Sequence, residues 1–535
     1  MKNNQHLIIK KGLLGLTLAL GLSLSTLSFA QDLKNTIRMA YMGEPASLDP
    51  HKVSGTWENA IMTQLFLGLF TNDKDENTIL GTVASYEVSP DGLVYTFKLR
   101  DDAKWSDGTP LVAEDYVYSW KRIADPKVAS PYATFMSIVE GIDEFAAGTG
   151  TEIGAKALDD KTLQVTLRAP APYFTQLLVH YASYAVPKQA IEKYGNEWTK
   201  PQNFIGNGAY KLVEWRPNTH IKMTKNPEFY DVANVKIENI IFYSGEDRSA
   251  WLKRFRAGEV DYVDDLPEDQ LPKIKVDLKN EFREGYYAGV YFYAINNKKP
   301  PFDDVRVRQA LNMGFSREIL TEKVLKGGWT PAYSFVPKGI KNYEGGPAEF
   351  TWKDLSQADK DAKAKELLAE AGFGPNNPLK FTMSYNTSDN HKRIAIAMAQ
   401  MWKKLGIEVE LFNQEVTPHY DALKQKNYDL GRAGWIADYS DPQTFLYLLE
   451  TKTGQQNYNN YSNPKFDQLM DDATKLIDLK GRAKVLKQAE QIILDEAATM
   501  PVMYYAKFSL LNNRIKNMTF FSLGANPVRW LEIVE

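Results

Sequence analysis

The sequence contains no cysteine among its 535 residues. This absence excludes disulfide bonds, thiol chemistry and a lipid anchor attached to a cysteine behind a signal sequence. If the chain is exported, a freely diffusing protein therefore fits better than a lipoprotein.

Histidine is scarce, and the usual enzyme motifs are missing. The six histidines are widely separated, without an HExxH pair or another local spacing of metal ligands. No GxSxG or GxxxxGKS/T motif is present, and residues 206–211 (GNGAYK) do not complete a dinucleotide loop, because Lys211 stands where its last glycine belongs. We predict a protein that is not an enzyme, with no catalytic residues, no cofactor and no metal site.

Long apolar runs are also missing, apart from residues 12–24 near the amino terminus. This run of 13 residues is shorter than the ~20 that a membrane-spanning helix needs. It follows three lysines and precedes the small-x-small sequence of residues 28–30 (SFA), a pattern typical of a signal peptide. We predict that residues 1–30 are cut off after Ala30 and that the mature protein is periplasmic.

The charge balance shows no excess of basic residues. Removing residues 1–30 takes away three of the 64 basic side chains, which leaves 61 against 67 acidic ones and a net charge of −6. No basic stripe runs along the chain, so the sequence predicts no nucleic-acid partner.

What the chain does contain is an ordinary globular composition, with 44% hydrophobic and 24% charged residues. A chain of this length exceeds one hydrophobic core and predicts at least two lobes. The apolar patterning predicts strands at residues 36–41, 94–100, 162–167, 380–385 and 408–413, and helices at residues 62–70, 113–123, 304–313, 356–371, 393–405 and 482–496. The β-rich stretch 284–297 is predicted to cross between lobes. Alternating strands and helices then indicate a later α/β lobe.

One short segment, residues 431–442 (GRAGWIADYSDP), concentrates chemistry. Arg432, Trp435 and Asp438 recur at every third position, with small residues between them. Gly434 lets another main chain approach without a Cβ in the way, and the carboxylate of Asp438 only accepts hydrogen bonds, which suits an ammonium group. The same residues are also compatible with a core strand that ends in a turn.

Seven stretches of the sequence carry a family likeness. They are residues 48–52 (LDPHK), 98–120 (KLRDDAKWSDGTPLVAEDYVYSW), 130–132 (SPY), 207–210 (NGAY), 295–308 (INNKKPPFDDVRVR), 385–392 (YNTSDNHK) and 432–441 (RAGWIADYSD). They lie between residues 48 and 441, a range that spans most of the mature chain, and they resemble the extracytoplasmic solute-binding proteins, family 5, of ABC peptide importers. The last two stretches favour the oligopeptide binders within that family.

The resemblance implies an α/β fold of the type II periplasmic-binding-protein class, in its large peptide-binding form. Two lobes are joined by β-strand hinge crossings, and one lobe carries an extra αβ subdomain. By this likeness lobe I comprises residues 31–66, 190–288 and 508–535, the extra subdomain residues 67–189, and lobe II, with the anchor for the peptide amino terminus, residues 289–507.

The resemblance also implies a peptide site between the lobes. By position, Asp438 matches the aspartate that pairs with the ligand α-ammonium, and Arg432 and His391 match residues that meet its carboxylate at different peptide lengths. The other expected contacts are Gly434, Trp435 and Ile436 along one edge of the peptide, Ser54, Gly55 and Thr56 along the other, Tyr132 in the cleft lining and Val416 beside a side-chain pocket. The pattern departs from a close relative at three positions: Ser54 replaces an acid, Val416 a tryptophan and Leu423 a basic residue, although Lys424 is adjacent.

Three of these residues also have simpler explanations from the sequence alone. His391 is compatible with a surface histidine at the start of a helix, and Arg432 with a structural ion-pair partner. Tyr132 is compatible with a side chain that only packs on the subdomain.

The function implied by the resemblance is that of a periplasmic receptor. It is expected to bind peptides of about two to five residues as a monomer and to deliver them to an inner-membrane ABC permease with its ATPase subunits. Recognition would run through the peptide main chain, with side chains in roomy hydrated pockets. Two alternatives stay open: the same fold binding a non-peptide solute such as nickel, haem or another small organic ligand, and a periplasmic holdase chaperone.

Overall fold

The structure is a computed structural model that describes residues 34–519, 521–524 and 527–534. The predicted signal peptide, residues 1–30, lies outside these described residues. Within them, none of the helices combines the length and the apolarity that crossing a membrane requires.

The structure mixes strands and helices along its whole length. The strands are β1 (Thr36–Tyr41), β2 (Phe70–Asn72), β3 (Thr78–Leu80), β4 (Val83–Val88), β5 (Val94–Leu99), β6 (Ala155–Asp159), β7 (Thr162–Thr166), β8 (Tyr210–Arg216), β9 (His220–Lys225), β10 (Asn239–Ser244), β11 (Tyr262–Val263), β12 (Phe282–Ile295), β13 (Thr330–Pro331), β14 (Lys380–Asn386), β15 (Glu408–Gln414), β16 (Leu430–Ile436), β17 (Thr499–Leu511), β18 (Ile515–Lys516) and β19 (Glu532–Ile533). The helices are α1 (Thr56–Leu65), α2 (Ala113–Ala124), α3 (Ile142–Ala146), α4 (Phe174–Leu177), α5 (Lys188–Tyr194), α6 (Arg248–Arg256), α7 (Leu271–Asp277), α8 (Val305–Met313), α9 (Gln357–Glu370), α10 (Asp389–Lys403), α11 (Val416–Gln425), α12 (Gln443–Leu446), α13 (Pro464–Thr474) and α14 (Leu479–Asp495). Short 3-10 segments and one π-helical segment, Ile319–Leu325, connect several of them.

One eleven-stranded sheet links the two lobes. Its order is β15-β14-β16-β12-β17-β11-β1-β10-β9-β8, with β13 beside β17. By the predicted boundaries, the half built on β12, β14, β15 and β16 falls in lobe II, and the half built on β1 and β8 to β11 falls in lobe I.

In lobe II the sheet is buried on both faces. Alternate side chains of β12 enter two separate cores, with Ala288, Val290, Phe292 and Ala294 in one and Tyr291, Tyr293 and Ile295 in the other. Helices α13 and α14 contribute to the first core, and α8 and α10 to the second. This double cover is the usual environment of parallel strands and holds β16 firmly between β12 and β14.

In lobe I a buried acid ties distant parts of the chain together. Asp261 is fully buried, and its carboxylate accepts hydrogen bonds from Arg38 Nε at 2.9 Å and from Arg514 Nε at 2.9 Å. Burial acts to raise the pKa of Asp261, but the hydrogen bonds from Arg514 and Arg38 hold it below its ordinary value. The first strand and the segment after β17 therefore meet at one charged centre.

The extra subdomain has its own four-stranded antiparallel sheet. Its order is β4-β5-β7-β6. The alternation of VYTFKL in β5 buries Tyr95, Phe97 and Leu99, as a half-buried strand requires. Helix α2 packs here through its apolar face, and the indole of Trp120 donates to the Ser183 carbonyl at 2.9 Å.

Two long strands cross between the lobes. Strand β12 pairs with β17 from Phe282 to Tyr286 and again from Val290 to Ala294, with a register shift between these two runs. Between Tyr286 and Val290 the regular pairing of β12 with β17 is interrupted, as at a β-bulge. This interruption lies at the predicted lobe boundary near residue 288. The boundaries near residues 288 and 508 stay a prediction.

The predicted helix at residues 62–70 is wrong. The helix is α1, which begins earlier at Thr56 and ends at Leu65, and Phe70 already belongs to β2. Glu58 favours the early start, because its Oε2 accepts the N–H groups of Ser54 at 3.1 Å and Gly55 at 2.7 Å. Residues 66–70, which follow the helix, are buried although the chain is extended there. Their apolar side chains therefore continue the pattern of the helix in the sequence.

Candidate functional site

The predicted binding segment forms a strand with one open edge. Strand β16 pairs with β12 along its whole length, from Leu430 to Ile436. It pairs with β14 only through Leu430 and Gly431. Within the described residues, the other edge of β16 from Arg432 to Ile436 therefore has no neighbouring strand. Such an edge offers a row of backbone donors and acceptors to an extended chain.

Asp438 lies just beyond the end of this open edge, and its side chain is only 8% exposed. The hydroxyl of Tyr132 donates to Asp438 Oδ1 at 3.1 Å. The Nε2 atom of His180 lies 3.5 Å from the same oxygen. The second oxygen, Oδ2, has no hydrogen-bond partner among the described residues. Both neighbours belong to the extra subdomain, so Asp438 bridges the gap between that subdomain and lobe II.

Among the described residues, the side chains that contact the Asp438 carboxyl carry no positive charge. Burial raises the pKa of the Asp438 carboxyl to about 8. Burial also lowers the pKa of His180 to about 3, so its ring is neutral at pH 7. The N–H of Ala182 donates to His180 Nδ1, which assigns the ring proton to Nε2, the nitrogen facing Asp438. Asp438 thus receives neutral donors only, and an ammonium group would supply the missing charge.

Arg432 lies on β16 as a buried cation without an anion. Its guanidinium donates to Asn386 at 3.2 Å, Tyr420 at 3.1 Å and Tyr505 at 2.6 Å, all of which are uncharged. It also lies 4.6 Å from the ring centre of Tyr291. In the described part of the chain Arg432 forms no ion pair, so the structural ion-pair explanation is wrong. A buried guanidinium without a carboxylate suits the carboxylate of a ligand.

His391 lies close to the same end of the site. Its Nδ1 is 3.4 Å from the hydroxyl of Tyr291, the ring that also faces Arg432. Burial, with the charges of Arg432 and Arg248, holds the pKa of His391 well below its ordinary value. A neutral, partly buried imidazole is not the surface histidine that the sequence alone allows.

The other predicted contacts lie at the start of two helices and at the end of β16, and their role in binding stays a prediction. The N–H groups of Ser54 and Gly55 both donate to Glu58, which leaves the Ser54 carbonyl and the neighbouring side chains for a ligand. Thr56 begins α1 and Val416 begins α11, while Trp435 and Ile436 are half-buried at the end of β16.

Gly434 does not provide the open approach for another main chain that the sequence predicts. A Cβ on Gly434 would lie 2.3 Å from the hydroxyl of Tyr505 and 3.2 Å from a guanidinium nitrogen of Arg432. The space beside this glycine is therefore filled by Tyr505, and it is not open to another main chain. Glycine is required because Tyr505 must reach Arg432 across the backbone.

Sequence reasoning missed His180 and Tyr505. Both approach the segment from remote parts of the chain, and neither belongs to a motif that would mark it. Tyr132 packs against the rings of Phe135, His180 and Tyr181, as the simpler explanation allows, and its hydroxyl also contacts Asp438. Within the residues that the structure describes, no group of three or more His, Cys, Asp or Glu side chains is arranged to hold a metal ion.

Comparison with known proteins identifies the family. Residues 78–457 match the profile of the bacterial extracellular solute-binding proteins, family 5 (its middle region), which is more than half of the chain. The chain belongs to this family. It is 41% identical over 504 residues to the periplasmic oligopeptide-binding protein OppA of Salmonella typhimurium, which covers 92% of this chain and 91% of that protein.

Solved structures confirm the two-lobed α/β fold of a family 5 protein. Haemophilus influenzae OppA in complex with RPPGFSPFR matches with a TM-score of 0.89 at 36% identity, over 94% of this chain and 99% of that one. The Escherichia coli murein tripeptide binding protein MppA also matches at 0.89 and 36% identity, over 94% of this chain and 98% of that one.

The arrangement of the lobes differs from an open form. The unliganded open form of MppA matches with a TM-score of only 0.70, at the same 36% identity and the same coverage of 94% and 98%. Since identity and coverage are equal, the lower score reflects how the lobes sit relative to each other. The contacts of Tyr132 and His180 with Asp438 fit the closed arrangement of a family 5 protein.

Proposed function

We propose that the protein is the periplasmic substrate-binding component of an ABC transporter and that it binds short oligopeptides. The observation that carries this proposal is the open edge of β16, which leads to an unpaired, buried carboxylate at Asp438. An extended peptide can add to the edge as a strand while its ammonium pairs with Asp438. Arg432 and His391 receive the carboxylate, and which of them does so depends on peptide length.

Family membership and the sequence pattern support the proposed periplasmic location and the proposed delivery of peptides to a permease. The protein is a binding protein, not an enzyme, and it works as a monomer. It hands its peptide to an inner-membrane ABC permease, whose ATPase subunits supply the energy. Export uses a signal peptide cut after Ala30. The ligands have about two to five residues, although the H. influenzae relative is described with the longer peptide RPPGFSPFR.

The first test compares tri-alanine with N-acetylated tri-alanine by isothermal titration of ligand-stripped protein. We expect tight binding of the free peptide and loss of binding after acetylation, because the acetyl group removes the ammonium that Asp438 needs. Equal binding of both peptides would contradict the ammonium site. No binding of either would contradict peptides of this length and favour a non-peptide solute, which mass spectrometry of the co-purified ligand would identify.

Affinity for tri-alanine is expected to fall as the pH is lowered from 8 to 5.5. The pKa of Asp438 is raised to about 8 by burial, so below that pH a proton competes with the ammonium for the same carboxylate. The loss is up to about tenfold per pH unit while this competition dominates. Above pH 8 the peptide amine, with an ordinary pKa near 8, loses its own charge, and the affinity falls again.

Isothermal titration at intervals of half a pH unit measures this profile. Asp438→Asn provides the control, because it cannot be protonated in this range and should bind weakly with no rise towards pH 8. A flat profile for the unmodified protein would contradict the assignment of the shifted pKa to the binding site.

A further inference from the structure

A cavity adjoins Asp438. Its volume is about 610 Å³, counting space open to solvent. Asp438 and His180 line it together with Asn59 and Thr63 of α1, Thr71 of β2, and Arg529 from the carboxyl-terminal segment. The cavity therefore begins at the proposed ammonium site and is built from four separate parts of the chain.

Arg529 is a buried cation in the wall of this cavity. The residue is 5% exposed, and its Nη2 donates to Thr71 Oγ1 at 3.5 Å. Its guanidinium lies 4.2 Å from the ring centre of Trp530 and 5.7 Å from that of Phe229. Among the described residues, the Nε and Nη1 atoms have no hydrogen-bond partner. No carboxylate of the described residues pairs with Arg529, although a buried cation without an anion is costly.

A carboxyl group and a guanidinium group thus line one cavity without pairing with each other. Asp438 lacks a cation and Arg529 lacks an anion, and no ion pair joins them. His180 is the other ionisable group next to Asp438, and its neutral ring compensates neither charge. Aromatic walls at Phe66 and Phe229 keep the local dielectric low, which strengthens any interaction that a ligand makes there.

We propose that the cavity receives the first side chain of the bound peptide and that Arg529 selects an acidic side chain there. This inference rests on the proposed peptide-binding function. A peptide beginning with glutamate carries the ammonium for Asp438 and the carboxylate for Arg529 on the same residue. The amide of Asn59 and the hydroxyl of Thr71 also line the cavity and can donate to that carboxylate.

The test uses isothermal titration of the ligand-stripped protein with Glu-Ala-Ala, Gln-Ala-Ala and Ala-Ala-Ala. Glutamine has the shape of glutamate without its charge, so this pair isolates the contribution of the carboxylate. We expect Glu-Ala-Ala to bind at least tenfold more tightly than Gln-Ala-Ala. Arg529→Met should remove this difference and leave the affinity for Gln-Ala-Ala within about threefold, while Arg529→Lys should retain part of it.

The outcomes separate this inference from the proposed function. If none of the three peptides binds, peptide binding itself is wrong. If all three bind with equal affinity to the unmodified protein, the function stands and the role of Arg529 is wrong, whether or not the variants fold. If the preference for glutamate persists in a folded Arg529→Met variant, another group recognises the carboxylate and the assignment is overturned.

Discussion

Replacing Asp438 with alanine is expected to weaken the binding of tri-alanine at least a hundredfold, or by about 2.7 kcal/mol or more. In the proposed complex the peptide ammonium and Asp438 form a buried pair, because the side chain of Asp438 is only 8% exposed. Removing one member of such a pair leaves the other charge buried and typically costs ~3–5 kcal/mol. Isothermal titration of the ligand-stripped variant measures the loss directly.

Two further variants show whether charge causes this effect. Asp438→Asn keeps the shape and an acceptor for Tyr132 but carries no charge, so it should lose nearly as much affinity as the alanine variant. Asp471→Ala removes a carboxylate that is 50% exposed on α13 and should leave the affinity unchanged. Unchanged affinity in a folded Asp438→Ala protein would contradict the ammonium site.

Replacing Arg482 with methionine is expected to lower the free energy of unfolding by about 3–5 kcal/mol. The guanidinium of Arg482 donates twice to Asp441, with distances of 2.8 and 2.9 Å, and the two side chains are 1% and 0% exposed. The variant leaves the Asp441 carboxylate buried without its cation. Because Asp441 follows Asp438 closely in the chain, the loss also loosens the binding segment. Urea unfolding of the ligand-free protein is the measurement.

The matched control lies on the same helix. Lys480 pairs with Glu344 at 3.2 Å, but these side chains are 64% and 62% exposed, so Lys480→Met should cost less than about 1 kcal/mol. The double variant Arg482→Met with Asp441→Leu should recover part of the stability, because no buried charge then remains unpaired. An Arg482→Met variant as stable as Lys480→Met would show that the buried pair contributes little.

Structural features that depend only on residues close together in the sequence could be predicted from it. Alternation in VYTFKL predicts β5, and the apolar spacing of residues 113–123 predicts α2, because each pattern follows the geometry of a single element. The strand that the sequence allows within residues 431–442 is found as β16, which ends at Ile436. Local periodicity is sufficient wherever one face of an element is buried.

Features that depend on distant residues could not be predicted. His180 and Arg529 approach the surroundings of Asp438 from parts of the chain that no spacing rule relates to it. The packing of Tyr505 against Gly434 is of the same kind, since it arises only when β17 lies beside β12. Residues 62–70 were misassigned because burial on all sides produces the same apolarity in a helix and in an extended chain.

The position of Asp261 between Arg38 and Arg514 has a consequence for the order in which the chain folds. Strand β1 pairs with β10 and β11, and β11 in turn pairs with β17, so lobe I needs both ends of the polypeptide. A chain exported amino terminus first, as proposed, cannot complete this lobe until residue 514 has crossed the membrane. Contacts of such long sequence separation also form slowly. The topology therefore delays the completion of lobe I until export that starts at the amino terminus is nearly finished.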